Sequence, residues 1–335
     1  MNRTDCDSAI ACIENVFIDQ VQKKRIAAGQ CPARRPVFLR LHGVAHATLE
    51  VLPTPAGVTP AGLFARPASY PAWVRFSSDI PDDRPDLKST VGVSFKLFDV
   101  PGEKSLEPDG QAPTLDFLFQ NFPVFFVDDA AGFCSFLQDS EAYIAKHPLT
   151  GQLLDEMEKT VPTALGEKVW SVIPFKYSDT WCKYILEPEQ APTPGNPDYN
   201  DPNYLAKDLE QRLAAQPFRY RLLMQRRVGG DDMPLDRATA RWDEQLSVPL
   251  HVATLVIPAQ DITTHTQADY GEALAFNPAR TLKGFEAVGS IAEARRHIYR
   301  VSADLRRNVN GQTVGEPQVP RPTELPVTPP VPSAR

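Results

Sequence analysis

The sequence lacks any CxxC pair, and its five cysteines leave one over after pairing. A disulfide framework normally uses an even number of cysteines, and a structural zinc site uses closely spaced ones. We therefore interpret all five as free thiols of a reducing compartment, and we expect a cytoplasmic protein. The cysteines are Cys6, Cys12, Cys31, Cys134 and Cys182.

The chain also lacks an excess of basic residues and a long apolar run. Its 35 lysines and arginines are outnumbered by 42 acidic residues, which gives a formal net charge of -7. A surface of that sign repels a phosphate backbone, so we expect no nucleic acid partner. No apolar stretch reaches the length of a membrane span, and acidic residues interrupt the N-terminus, so neither a transmembrane segment nor a secretory signal is predicted.

Glycine is scarce and proline is abundant, with 18 and 33 residues respectively. Because proline interrupts helices and stiffens loops, this ratio favours strands joined by rigid connections. Period-two alternation of apolar residues predicts several strands, and helical spacing predicts three helices. In the first half of the chain the predicted strands are 37–51, 72–78, 90–99 and 115–127; the predicted helices are 8–28, 129–165 and 291–309.

These elements predict one β-rich domain of the α+β class with helices around it. The domain spans 31–312; a helical arm, 1–30, precedes it, and a proline-rich tail, 313–335, follows it. The composition of the tail is typical of an extended polyproline segment. The sequence leaves open whether the chain forms a homo-oligomer and what the tail contacts.

The last predicted helix carries an arginine and a tyrosine four residues apart. Ser290 and Glu293 have the spacing of a capping box at its start. Arg295 and Tyr299 are neighbours on one face, because residues i and i+4 lie one turn apart. A phenolate oxygen can ligate ferric iron, and a permanently charged guanidinium beside it stabilises that phenolate. By itself the pair also fits a surface stack on an ordinary amphipathic helix.

Five segments, spread from about 35 to 311, resemble motifs of the catalase family in the family's order. The resemblance implies a catalase-like antiparallel β-barrel core with peripheral helices and a C-terminal helix that carries haem b. The segments are RRHIY (295–299), similar to the proximal R-x-x-x-Y; YPAWVRFSS (70–78), similar to a strand ending in R-F-S; GVSFKLFDVPGE (92–103), similar to the G-x-A-x-K segment; LDFLFQNFPVFFVDD (115–129), similar to the segment of the distal asparagine; and AFNPAR (275–280), upstream of the haem helix.

The resemblance also implies roles for single residues. Tyr299 would be the axial ligand of the haem iron, and Arg75 would pair with a haem propionate, which suits its bidentate guanidinium. Ser77 would orient the distal histidine, and Asn121 would donate its amide to bound peroxide. Phe126 would pack near the distal face of the haem.

The distal histidine is where this chain departs from the family. In the family a histidine follows an arginine by three residues, whereas here Arg35 is followed at that spacing by Phe38. We expect Arg35 and Phe38 to lie beside the haem. On an ideal strand Phe38 and His42 share a face about 13 Å apart, so only one of them lies over the iron unless the strand is bulged. We favour His42 as the acid–base catalyst, and the register stays open.

The function that the resemblance implies is a haem-dependent oxidoreductase of catalase or peroxidase type, with a peroxide or small organic hydroperoxide as substrate. Three alternatives remain. An apolar pocket built from Phe38, Phe122, Phe125 and Phe126 would favour a haem enzyme acting on organic or fatty hydroperoxides. Loss of the distal histidine would favour a haem-binding module with little turnover. The last alternative is a haem-free barrel, in which the arginine–tyrosine pair is structural.

Overall fold

The structure is a computed structural model that describes residues 3–81, 84–193 and 195–323. The predicted N-terminal arm is helical. It begins as α1, Arg3–Glu14, continues as a π-helical segment, Asn15–Lys23, and ends in α2, Lys24–Ala27. The last twelve residues of the predicted proline-rich tail lie outside the described residues.

Strands in the described part of the chain form one antiparallel sheet that closes into a barrel. Their order across the sheet is β5-β4-β3-β2-β1-β9-β8-β7-β6, and an additional β5–β7 pairing joins the two ends, with β6 as a hairpin on β7. The predicted α+β class with an antiparallel barrel is confirmed. The strands are β1, Arg40–Val51; β2, Ala68–Ser78; β3, Val91–Leu97; β4, Leu115–Gln120; β5, Val169–Trp170; β6, Phe175–Tyr177; β7, Thr180–Pro188; β8, Phe218–Arg226; and β9, Leu250–Ile257.

Alternation along the strands fills the barrel with apolar side chains. Leu49 of β1 is fully buried in this core, and so is Phe95 of β3, whose ring stacks on Phe117 of β4 at a centroid distance of 4.9 Å. Full burial of one such side chain stabilises the fold by about 1.5–3 kcal/mol. The interior of the barrel is therefore filled by packed side chains, and a binding site can form only on its outer face.

The predicted helix 129–165 is three shorter helices. Asp139 ends the first one and caps the second, where its carboxylate accepts a hydrogen bond from Ala142 N at 2.9 Å. Pro148 begins the third, at a position where its missing N–H costs no hydrogen bond. None of the helices in the described ranges has the length and hydrophobicity to cross a membrane. The helices are α3, Ala130–Gln138; α4, Ser140–Lys146; α5, Pro148–Met157; α6, Tyr204–Ala215; α7, His265–Ala273; and α8, Ser290–Val309.

The start of α8 differs from the predicted capping box. The helix is capped by Gly289, whose φ of 97° lies in the left-handed region, and Ser290 is already its first residue. The Ser290 amide and hydroxyl both donate to Asp236 Oδ1, at 2.6 and 2.7 Å. The capping box between Ser290 and Glu293 was wrong, because Asp236, distant in sequence, takes the place of the glutamate.

A disulfide between Cys12 and Cys134 ties α1 to α3. The prediction of five free thiols was therefore wrong for this pair, although Cys6, Cys31 and Cys182 are free. The two cysteines are 122 residues apart, and folding alone brings them together. Because disulfides persist in oxidising surroundings, the thiol-based argument for a cytoplasmic location no longer stands.

Candidate functional site

A cavity of about 340 Å³ lies between the outer face of the barrel and α8. Its volume falls in the range of small-molecule and cofactor sites, about 300–1,000 Å³. Side chains from β2, β3 and β4 form one wall. The N-terminal arm, the segment before β1, α3 and α8 supply the others.

One face of α8 points into this cavity. Arg295, Ile298, Tyr299 and Arg306 all line it. The guanidinium carbon of Arg295 lies 5.2 Å from the centre of the Tyr299 ring, so the two side chains are neighbours as the four-residue spacing predicts. The phenol therefore has a permanent positive charge beside it and belongs to the lining of the cavity.

Three arginines of the cavity wall contact Glu272 of α7, two of them through its carboxylate and the third through its backbone carbonyl. Glu272 Oε1 lies 2.8 Å from Arg75 Nη2 and 3.2 Å from Arg35 Nη1. Arg306 donates from Nη1 to the Glu272 carbonyl and from Nη2 to the Leu274 carbonyl at 3.3 Å. Arg35, Arg75 and Arg306 line the cavity, whereas Glu272 approaches them from α7.

This cluster has more positive than negative charge. Burial would raise the pKa of Glu272, but Arg35 and Arg75 outweigh it and hold that pKa at about 2. Burial lowers the pKa of Arg306 to about 10, and both burial and Arg75 lower the pKa of Arg35. Arg75 Nε and Arg306 Nε are buried and have no hydrogen-bond partner among the described residues. The cluster therefore suits an additional anion, above all a carboxylate.

Phe38 lies on the cavity wall in an unusual backbone conformation. Its φ is 51°, its carbonyl accepts from Arg75 Nη2 at 3.0 Å, and its amide donates to Asp79 Oδ1 at 3.1 Å. The ring lies against Gly92, where a Cβ would be 2.7 Å from two ring carbons. Only glycine at position 92 leaves room for this ring, so the fold holds Phe38 in the cavity.

His42 lies elsewhere and is not among the residues that line the cavity. It occupies a bulge of β1, between residues 41 and 43, and its Nε2 lies 2.7 Å from Ser78 Oγ. Its Nδ1 is 3.7 Å from Asp86 Oδ2. Burial, followed by the charges of Arg40 and Arg75, lowers the pKa of His42 to about 3. Of the two candidates from sequence, the structure brings Phe38 to the cavity, and the catalytic role predicted for His42 has no support from its position.

Asn121 also lies outside the cavity lining. Its Oδ1 accepts from Val91 N at 2.9 Å, and its Nδ2 donates to Glu167 Oε2 at 3.1 Å. The amide predicted to contact peroxide therefore ties β4 to β3 and to the loop before β5. Gln120, the preceding residue, lines the cavity instead.

Ser77 and Phe126 both line the cavity. Ser77 lies on β2 opposite Gly92 of β3, close to Phe38. Phe126 belongs to an aromatic group in which its ring centroid lies 4.4 Å from that of Phe125 and 4.9 Å from that of Phe136. These phenyl rings make the wall of the cavity near α3 apolar.

Three residues at the site were not proposed from sequence. The sequence could have indicated Arg306, because it lies seven residues after Tyr299 and two helical turns place it on the same face of α8. The sequence does not indicate Glu272 or Asp79, because neither belongs to a motif or has a periodic relation to Tyr299. Their positions follow from the packing of α7 and the end of β2 against the rest of the site.

The donor set of the cavity fits haem. A phenol flanked by a guanidinium is an oxygen ligand suited to ferric iron. Three guanidiniums, of which Arg75 and Arg306 have a buried Nε donor without a partner among the described residues, suit two propionates. Aromatic side chains supply the apolar walls that a porphyrin needs.

The closed barrel, the helices around it and the tyrosine on α8 define a protein with a catalase-like fold. The chain is similar to the crystal structure of a fungal catalase, with a TM-score of 0.65 and 18% sequence identity over 86% of this chain and 63% of that one. It is also similar to the structure of a bacterial catalase, with a TM-score of 0.66 and 15% identity over 93% of this chain and 67% of that one. At such identities the likeness shows the fold alone.

The chain spans 63% of the length of the fungal catalase. No protein-family model matches the sequence. No curated protein matches it either.

Proposed function

We propose that the chain binds haem b in this cavity, with Tyr299 as the iron ligand, and uses it to consume peroxides. The observation that carries the proposal is the convergence on one cavity of Tyr299 with Arg295 beside it and of the arginine cluster, Arg35, Arg75 and Arg306. The catalase-like fold supports it. A planar, dianionic ligand with a central metal matches this combination of an oxygen donor, cations and aromatic walls.

When bound, haem supplies a redox-active iron with a coordination position for peroxide. The chain's own residues do the rest. Arg295 places a permanent positive charge beside the Tyr299 ring, where it would stabilise a bond between the phenol oxygen and ferric iron. The arginine cluster holds the propionates and sets the orientation of the porphyrin. Phe38, Phe126 and the rings around them exclude water from the reacting side.

Organic hydroperoxides are the second candidate substrate class, and the aromatic wall favours them. Phe38, Phe125 and Phe126 line the cavity, as do Phe133 and Phe136. Phe122, which the sequence also suggested for this wall, packs instead with Val124 and Leu153. Within the described ranges no histidine lines the cavity. A site with an apolar wall and no imidazole is better matched to an organic hydroperoxide than to rapid dismutation of hydrogen peroxide.

A visible spectrum tests haem binding. The purified chain supplied with haemin should develop a Soret band with high-spin ferric features, and Tyr299→Phe should abolish or greatly weaken haem retention on gel filtration. Tyr199→Phe, at an exposed position outside the cavity, is the matched control and should retain haem. Normal occupancy in Tyr299→Phe would remove the ligand assignment, and a wild-type chain that stays colourless would end the proposal.

Turnover of two peroxides separates the substrate classes. We expect the haem-loaded chain to consume cumene hydroperoxide faster than it evolves oxygen from hydrogen peroxide. The reverse order would favour catalase-type activity. Stable haem with no consumption of either peroxide would favour the haem-binding module.

A further inference from the structure

We infer that Asp79 moves the peroxide proton in this cavity, at the place where the catalase resemblance expects a histidine. The inference rests on the proposed function, because it concerns the reacting side of the same haem site. It assigns a catalytic residue that the motifs do not contain.

Strand geometry directs Asp79 into the cavity. Ser77 and Asp79 both line it, whereas Ser78 between them turns the other way and contacts His42. Asp79 N donates to Thr90 O at 3.0 Å, so the β2–β3 ladder continues past the end of β2 and its alternation holds. Asp79 is therefore on the same face as Ser77, the residue that the resemblance places on the distal side.

Asp79 is also joined to the residue in the histidine slot. Its Oδ1 accepts from Phe38 N at 3.1 Å, and Phe38 O accepts from Arg75 Nη2 at 3.0 Å. This chain of contacts runs from the arginine cluster, through the backbone of Phe38, to the carboxyl group. The carboxyl is thus held beside the phenyl ring that occupies the position of the missing imidazole.

Elimination favours the same residue. Among the described residues that line the cavity, Asp79 is the only one with a carboxyl group, and none is a histidine. The other charged or titratable lining residues are Arg35, Arg75, Arg295, Tyr299 and Arg306. Arginine keeps its proton at any working pH, and the proposed function uses the tyrosine as the iron ligand. Asp79 is left as the side chain that can both accept and release a proton.

The surroundings of Asp79 suit acid–base work. The side chain is exposed and is one of the residues that line the cavity. Packing of the surrounding protein still desolvates the carboxyl and raises its pKa, while the hydrogen bond from the Phe38 amide opposes that shift. A carboxyl with a raised pKa is closer to the working pH, where proton transfer in both directions is efficient.

The proton step conserves protons. The Asp79 carboxylate accepts the proton of the hydroperoxide O–H group through Oδ2, because Oδ1 is held by the Phe38 amide. The carboxylic acid that forms returns the same proton to the second peroxide oxygen as the O–O bond breaks, so that this oxygen leaves as the alcohol, or as water from hydrogen peroxide; bound haem would supply the two electrons that the cleavage requires. The carboxylate is regenerated, and no further proton donor is needed.

Asparagine and alanine at position 79 separate proton transfer from a structural role. Asp79→Asn keeps an oxygen that accepts from the Phe38 amide but cannot take up a proton, whereas Asp79→Ala loses both functions. We expect Asp79→Asn to bind haem normally and to react with cumene hydroperoxide about 10²–10⁴-fold more slowly in stopped-flow measurements. Asp79→Glu, which restores a carboxyl, should recover part of the rate. Asp261→Asn removes a carboxyl outside the cavity and should react as the wild type does.

A second readout does not depend on peroxide turnover. Hydrogen cyanide must lose its proton to bind ferric haem, so cyanide association in the wild type should slow as Asp79 becomes protonated in acid. Asp79→Asn should lack that acid limb. An unchanged peroxide rate in Asp79→Asn at full haem occupancy, or an unchanged cyanide profile, would overturn the inference and leave the proposed haem site intact.

A third test uses the haem-free protein. If the chain takes up no haem, the proposed function fails, and infrared titration of the haem-free chain still tests Asp79. A carboxylic acid band that titrates above the usual aspartate range and is missing in Asp79→Asn would support a proton-exchanging group in this cavity. A carboxyl that titrates in the usual range would overturn it.

Discussion

Replacing Glu272 with glutamine tests the arginine cluster in the haem-free protein. Burial opposes ionisation of Glu272, yet Arg35 and Arg75 hold its pKa at about 2, against 4.5 for an unperturbed glutamate. A carboxyl whose pKa is lower in the folded than in the unfolded state stabilises the fold when it is ionised. This shift corresponds to about 3 kcal/mol at pH values above the unfolded pKa.

Glu272→Gln should therefore lower the free energy of unfolding by about 2–3 kcal/mol at pH 7. The glutamine cannot balance the buried guanidiniums, whereas the wild-type carboxylate does. As the pH falls from 4.5 towards about 2, the wild-type side chain becomes protonated and loses this contribution. The difference between the two proteins should shrink over the same interval.

Urea unfolding, followed through the fluorescence of the four tryptophans, measures this difference between pH 7 and pH 3. Glu293→Gln is the matched control on α8. Its carboxylate is exposed and 4.0 Å from Arg296, so its loss should change the free energy of unfolding by less than about 0.5 kcal/mol. Equal stability of Glu272→Gln and wild type at pH 7, or a difference that does not change with pH, would refute the reasoning.

Two further perturbations address the N-terminal arm and the missing histidine. Replacing both Cys12 and Cys134 with serine should lower the free energy of unfolding, measured in urea, by about 2–4 kcal/mol, because the disulfide closes a long loop. If all five cysteines of the denatured wild-type protein react with a thiol reagent, the disulfide is absent. Phe38→His should raise the peroxide rate of the haem-loaded chain by about tenfold or more, because it adds an imidazole to the cavity wall. Histidine tolerates the positive φ at this position, and a rate that stays at the wild-type value would contradict the orientation of the side chain.

Local patterns were sufficient for the elements that carry the site. The pair Arg295 and Tyr299 becomes adjacent as soon as α8 forms, since the helical repeat alone sets their separation. The alternation of β2 likewise directs Arg75 and Ser77 to one side, and both line the cavity. The period of a helix or a strand fixed which residues share a face, whereas the roles of Arg75 and Ser77 came from the catalase resemblance.

Other features depended on contacts between distant segments. A bulge at His42 and the left-handed backbone of Phe38 broke the ideal alternation of β1, and the packing of the Phe38 ring against Gly92 decided which of the two entered the cavity. Glu272 reached the arginines only because α7 packs beside the barrel. The sequence therefore determined the periodic faces and the tyrosine–arginine pair. Strand bulges, charge neutralisation and the pairing of Cys12 with Cys134 were decided by the tertiary structure, because each requires segments that only the folded chain brings together.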